Sequence, residues 1–166
     1  LLYLYFDLSL PFSLTREALA EKTTVGNMSK PLLTSLRYLK TIESLTGEFT
    51  AQTVLARQDE FKKQIEAAKD RTGFRFVIIY LACPALWSFP PGQSLEVMEL
   101  AVRSGLWPLR AKAEGSDVGD ETMVEESLNQ LLSRLKDGQY LLSEGNRALK
   151  EHLRERIRDL ASVVIG

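Results

Sequence analysis

Cys83 is the one thiol in the chain, and it follows an apolar run directly, in Tyr80-Leu81-Ala82-Cys83-Pro84. A thiolate can attack an electrophile, ligate a soft metal or hold an iron–sulfur cluster. Nucleophilic chemistry needs a base beside it, and the single histidine, His152, is a poor candidate. It stands among Lys150, Glu151, Arg154 and Glu155 on an amphipathic stretch, a pattern that predicts a solvated helix face. The acidic pairs Asp120–Glu121 and Glu125–Glu126 are expected as helix-start charges, favoured by the positive end of the dipole, before they are an acid–base pair. Arg71 and Arg75 are expected on the surface. There is no Gly-rich phosphate loop, no Ser–His–Asp set and no His-rich metal spacing. Taken alone, a cysteine after an apolar strand reads as a small buried hydrophobe.

The elements that must position Cys83 can be traced by periodicity. Leu1–Phe6, Phe49–Leu55 and Phe74–Leu81 read as strands, the last almost unbroken in apolar residues. A strand apolar on both faces belongs to a parallel sheet covered by helices. Between the last two, Gln58–Asp70 puts Phe61, Ile65 and Ala68 on one face, with Gly73 as a C-cap. The strand–helix–strand unit is therefore a βαβ crossover, expected to be right-handed. Pro31–Ser44 has helical spacing in Leu32, Leu36, Leu39 and Ile42. Ser94 is expected to N-cap a helix carrying Glu96 and Glu99 in its first turns and ending at Gly105. Glu121–Lys136 and Ser143–Val164 are expected as two closing helices, the latter striped by Leu149, Leu153, Ile157 and Leu160. Trp87, Phe89 and Trp107 either anchor a partner or pack against those last helices.

The expected architecture is α/β: a small, mostly parallel sheet flanked by helices, over residues 1–112, with a C-terminal helical extension over 113–166. At 45% hydrophobic and 26% charged residues, the chain has a globular rather than a disordered composition. Its formal charge of −1 steers toward neither nucleic acid nor an anionic membrane. The longest apolar runs fall far short of the roughly 20 residues that span a bilayer. Leu1–Phe6 lacks the basic flank and cleavage site of a signal peptide. A single cysteine excludes an internal disulfide and suits a reducing cytoplasm, the expected location.

The run from Gly73 to Pro84, followed by Trp87, is similar to the strand and Cys-Pro turn of β subunits of pyruvate-type 2-oxoacid:ferredoxin oxidoreductases. There the pattern is Leu-Ala-Pro-Cys-Pro, two residues and Trp; here the Pro before the cysteine is missing. Leu95-Glu96-Val97, Leu100-Ala101-Val102 and Gly105-Leu106-Trp107-Pro108-Leu109 resemble the helix and exit of the same subunits. Val124–Leu128 and Leu142-Ser143-Glu144 resemble their tail. The resemblance covers about residues 50–164. Leu2–Asp7 looks like the strand leading into the family's thiamine diphosphate and magnesium loop, and Thr23-Thr24-Val25-Gly26 like a segment after it. The loop between departs from the pattern.

The resemblance implies a subunit of an enzyme that decarboxylates a 2-oxoacid to an acyl-CoA and passes electrons to ferredoxin, using thiamine diphosphate, Mg²⁺ and [4Fe-4S] clusters. It implies an α-type partner subunit, and ferredoxin reached through the complex. Cys83 would be the fourth ligand of one cluster. Asp7 and the Leu10 carbonyl would be what remains of the cofactor loop, where Leu8 replaces a side-chain oxygen donor that a hard cation needs. With the upstream Gly-Asp-Gly segment and the other thiolates absent, the expectation is a partial subunit, binding no cofactor and inactive by itself. The alternative is a non-catalytic scaffold or assembly partner derived from that subunit.

Overall fold

A computed structural model describes residues 1–8, 41, 44, 49–107, 109 and 121–165. Three strands, β1 (Leu2–Asp7), β2 (Phe49–Val54) and β3 (Arg75–Tyr80), form a parallel sheet in the order β1-β3-β2. The most apolar strand takes the centre. Phe76 to Tyr80 are all buried, because β3 has a strand on each side and packing on both faces. The register aligns the three C-terminal ends, with Tyr80 opposite Asp7 on one flank and Val54 on the other.

Each face has its own packing. Helix α1 (Gln58–Lys69) lays Phe61, Ile65 and Ala68 against Val77 and Ile79. The face expected from the sequence is the one buried. The opposite face carries Phe76, Ile78 and Tyr80, which share a core with α3 (Ser94–Arg103), α4 (Glu121–Arg134) and α5 (Arg147–Ile165) through residues such as Val97, Leu128 and Leu153. A short helix, α2 (Pro84–Trp87), lies between β3 and α3. Each fully buried Leu, Ile or Val in this core stabilises the fold by about 1.5–3 kcal/mol. The expected boundary near residue 112 lies outside the described residues, as do residues 113–120 and all of the expected Pro31–Ser44 helix except Thr41 and Ser44.

Local corrections have local causes. Ser94 is the first residue of α3 rather than its N-cap: a 3₁₀ turn at Pro91–Gln93 precedes it, and its hydroxyl donates back to the Pro91 carbonyl at 2.7 Å. The last helix starts at Arg147, after 3₁₀ turns at Gln139–Leu142 and Glu144–Asn146. There the Asn146 amide donates to the Tyr140 carbonyl and to Ser143 Oγ, both at 2.8 Å, and side chain–backbone bonds of this kind compete with helix. Arg75 is no idle surface charge. Its guanidinium donates to the Arg71 carbonyl at 2.6 Å and the Ala68 carbonyl at 3.4 Å, satisfying the end of α1 and the turn after it. Gly105 ends α3 as expected, in the left-handed region at φ +74°, where its missing Cβ would lie 3.2 Å from Ile157.

Candidate functional site

The C-terminal edge of the sheet brings together two of the three residues singled out by the sequence. Asp7 closes β1, 2% exposed, and its carbonyl accepts the Leu81 amide at 2.9 Å just beyond β3. Cys83 comes three residues after Tyr80 and caps α2 in extended backbone, φ −86° and ψ 117°. Its thiol is free and only partly buried, so the bland reading of a sealed core cysteine does not describe it. Leu10 lies outside the described residues. Ligands of open parallel sheets sit beyond this edge, because the strands end there and the connecting loops diverge.

The turn that presents Cys83 is held from beneath. Its carbonyl accepts the Trp87 amide at 2.9 Å, and the Pro84 carbonyl accepts the Phe89 amide at 3.2 Å. Ser88 adopts a left-handed conformation, φ 56°, which reverses the chain and offers its carbonyl to the Lys136 amide at 3.1 Å. Trp87, Phe89 and Trp107 are 2%, 6% and 0% exposed, which settles the open question in favour of packing over an exposed anchor. Trp107 stacks on Tyr80 at 5.4 Å and meets Trp87 edge-on at 4.9 Å.

Two polar contacts complete the edge, and sequence reasoning had pointed to neither. The Trp87 indole N–H donates to the Leu8 carbonyl at 3.1 Å, tying the chain leaving β1 to the Cys83 turn. Gln52 donates to the Tyr80 hydroxyl at 3.0 Å inside the core. Neither leaves a local signal, since the partners are 79 and 28 residues apart. Beyond β2, an open cleft of about 610 Å³ is lined by Ala56, Arg57, Gln58, Asp59, Glu60 and Glu99. Its main cation is already paired, Arg57 reaching Glu99 at 3.0 Å and Glu60 at 3.7 Å.

The donor set limits the chemistry. Among the described residues no three His, Cys, Asp or Glu side chains gather as a metal site. A cubane cluster takes four ligands, usually thiolates, and this edge supplies one. Leu8, 43% exposed, carries a hydrocarbon side chain with no oxygen to give a hard cation. The described residues therefore do not by themselves assemble either a cluster site or a magnesium–diphosphate clamp. His152 is far from any such role: its Nδ1 faces Glu155 at 3.4 Å on α5. Glu121 and Glu125 form ion pairs with Arg158, Lys150 and Arg154 between α4 and α5.

Fold and edge together define an α/β protein with a partly exposed thiol at the crevice of a parallel sheet. No protein-family model matches the chain. It is similar to pyruvate synthase subunit PorB of Methanocaldococcus jannaschii, 20% identical over 111 residues, which are 66% of this chain and 37% of that one. It is also similar to PorB of Methanothermobacter thermautotrophicus and of Methanothermobacter marburgensis, each 22% identical over 106 residues, 63% of this chain and 37% of theirs. The chain thus matches somewhat over a third of the length of these relatives. Among the described residues no helix is long and apolar enough to cross a membrane.

Proposed function

We propose that the chain is part of the β subunit of a 2-oxoacid:ferredoxin oxidoreductase, acting on pyruvate or a close relative, and that its role there is to present Cys83 as one cluster ligand. The observation that carries this reading is the position of Cys83: a partly exposed thiol directly after the central strand, at the ligand-binding end of a parallel sheet. The similarity to PorB supports the same reading. The remaining thiolates, the magnesium ligands and the substrate pocket come from other polypeptide, including an α-type subunit, and ferredoxin takes the electrons from the complex. The chain alone turns nothing over.

The test is anaerobic purification of the tagged chain from its own host. The eluate should reduce a viologen dye in the presence of pyruvate and coenzyme A, and the chain made in a host without such an enzyme should not. An eluate inert toward every 2-oxoacid tried would overturn the oxidoreductase reading and leave the scaffold alternative.

A further inference from the structure

Cys83 stands at the head of a single helical turn. Helix α2 runs only from Pro84 to Trp87, and its first bond goes from the Trp87 amide to the Cys83 carbonyl at 2.9 Å. Isolated helices shorter than about 12–15 residues are marginal in water, so a turn this short keeps its shape through tertiary contacts. Two such contacts bracket the thiol and end on successive carbonyls. Before Cys83, the Leu81 amide donates to the Asp7 carbonyl at 2.9 Å; after it, the Trp87 indole donates to the Leu8 carbonyl at 3.1 Å. An indole has one N–H and no acceptor, so this bond uses the whole polar capacity of Trp87. Behind it, the ring meets Trp107 edge-on at 4.9 Å, and Trp107 stacks on Tyr80, the last residue of the central strand, at 5.4 Å. The adjacent Leu86 is 66% exposed and Trp87 2%, so Trp87 is the side chain by which α2 is held in the core.

We infer that Trp87 is a positioning residue for the Cys83 thiol, braced on the backbone that leaves β1; this rests on the reading of Cys83 as a ligand proposed above. A ligand acts from a fixed place, and packing with hydrogen bonding around its supporting residues supplies that. The indole engages position 8 through the backbone carbonyl, while the Leu8 side chain stands 43% exposed. The identity of residue 8 is therefore free as far as the brace is concerned. Position 87 is not free: it needs an N–H at the far edge of a ring that the core can hold. Freeing the exit of β1 and freeing the Cys83 turn are one event.

The test is alkylation of the full chain by iodoacetamide, anaerobically, from zero to moderate urea. Trp87→Phe should quicken the reaction without urea about fivefold, the worth of one net hydrogen bond in a local opening. Gly105→Ala, which strains the end of α3 instead, should quicken it only in urea, where global opening carries the reaction. Leu86→Ala and Leu8→Ser should leave the rate alone. An ester in place of the amide between Leu8 and Ser9 weakens the Leu8 carbonyl as an acceptor. It should act in the direction of Trp87→Phe and add nothing when the two are combined, as expected of two halves of one contact. An unchanged rate in Trp87→Phe, an equal gain from Gly105→Ala without urea, or additive effects of the ester and Trp87→Phe would overturn the assignment. If Trp87→Phe does not fold, the ester alone decides. The two readings separate in the assembly captured from the host. Alkylation that follows the brace, with visible spectra indifferent to Cys83→Ala, strikes the cluster reading; Cys83-dependent spectra with alkylation indifferent to Trp87→Phe strike the brace.

Discussion

The indole of Trp87 and the carbonyl of Leu8 meet at 3.1 Å across 79 residues of sequence. This contact joins the exit of β1 to the turn that presents Cys83. Phe89 and Trp107 pack in the same core as the Trp87 ring, so the hydrogen bond fixes the loop rather than the ring.

Replacing Trp87 with Phe keeps most of the apolar ring and removes the donor. The expected loss is about 1 kcal/mol in urea unfolding, the net worth of one such bond. Alkylation of Cys83 by iodoacetamide should quicken, because its turn loses the tie to β1. Trp87→Ala, which also empties the core, should cost about 3–5 kcal/mol.

Tyr80→Phe removes the hydroxyl that accepts from the buried Gln52 amide at 3.0 Å. Losing one such bond is expected to cost about 0.5–1.5 kcal/mol. Thermal melts of the two proteins decide it, an unchanged midpoint counting against the contact.

Gly105→Ala forces an L side chain into φ +74° and toward Ile157 at 3.2 Å. A loss of about 1–2 kcal/mol is expected from the backbone alone. Gly92→Ala, with nothing within 4 Å of the new methyl, should stay within about 0.5 kcal/mol of wild type.

Burial, more than the neighbouring charges, lowers the Lys150 ammonium below its ordinary value; Glu151 raises it and Arg147 lowers it further. Between that lowered value and 10.5, the unfolded chain binds more protons than the folded one. The contribution of this site to stability therefore rises with pH through that window. Lys150→Met should flatten the rise, seen as urea midpoints of the two proteins that diverge as pH climbs through it.

The strands were legible because their signal is local. The apolar run at Phe74–Leu81 marks a centre strand, and the helical spacing of Phe61, Ile65 and Ala68 marks the buried face of α1. Helix ends were harder. The last helix is expected from Ser143, and only the Asn146 side-chain bonds show why the chain turns until Arg147 instead. At the candidate site, Cys83 could be found from its place after a strand, while the Trp87–Leu8 tie depends on tertiary contact that no short-range pattern encodes.

Ligation of a metal by the Cys83 thiol has a spectroscopic signature. The assembly captured anaerobically on the tagged chain should show broad visible charge-transfer absorbance and, once reduced, a cluster signal in electron paramagnetic resonance. In the Cys83→Ala assembly, folded and of the same composition, one cluster's share of both should be lost. Identical spectra with and without the thiol would contradict the account.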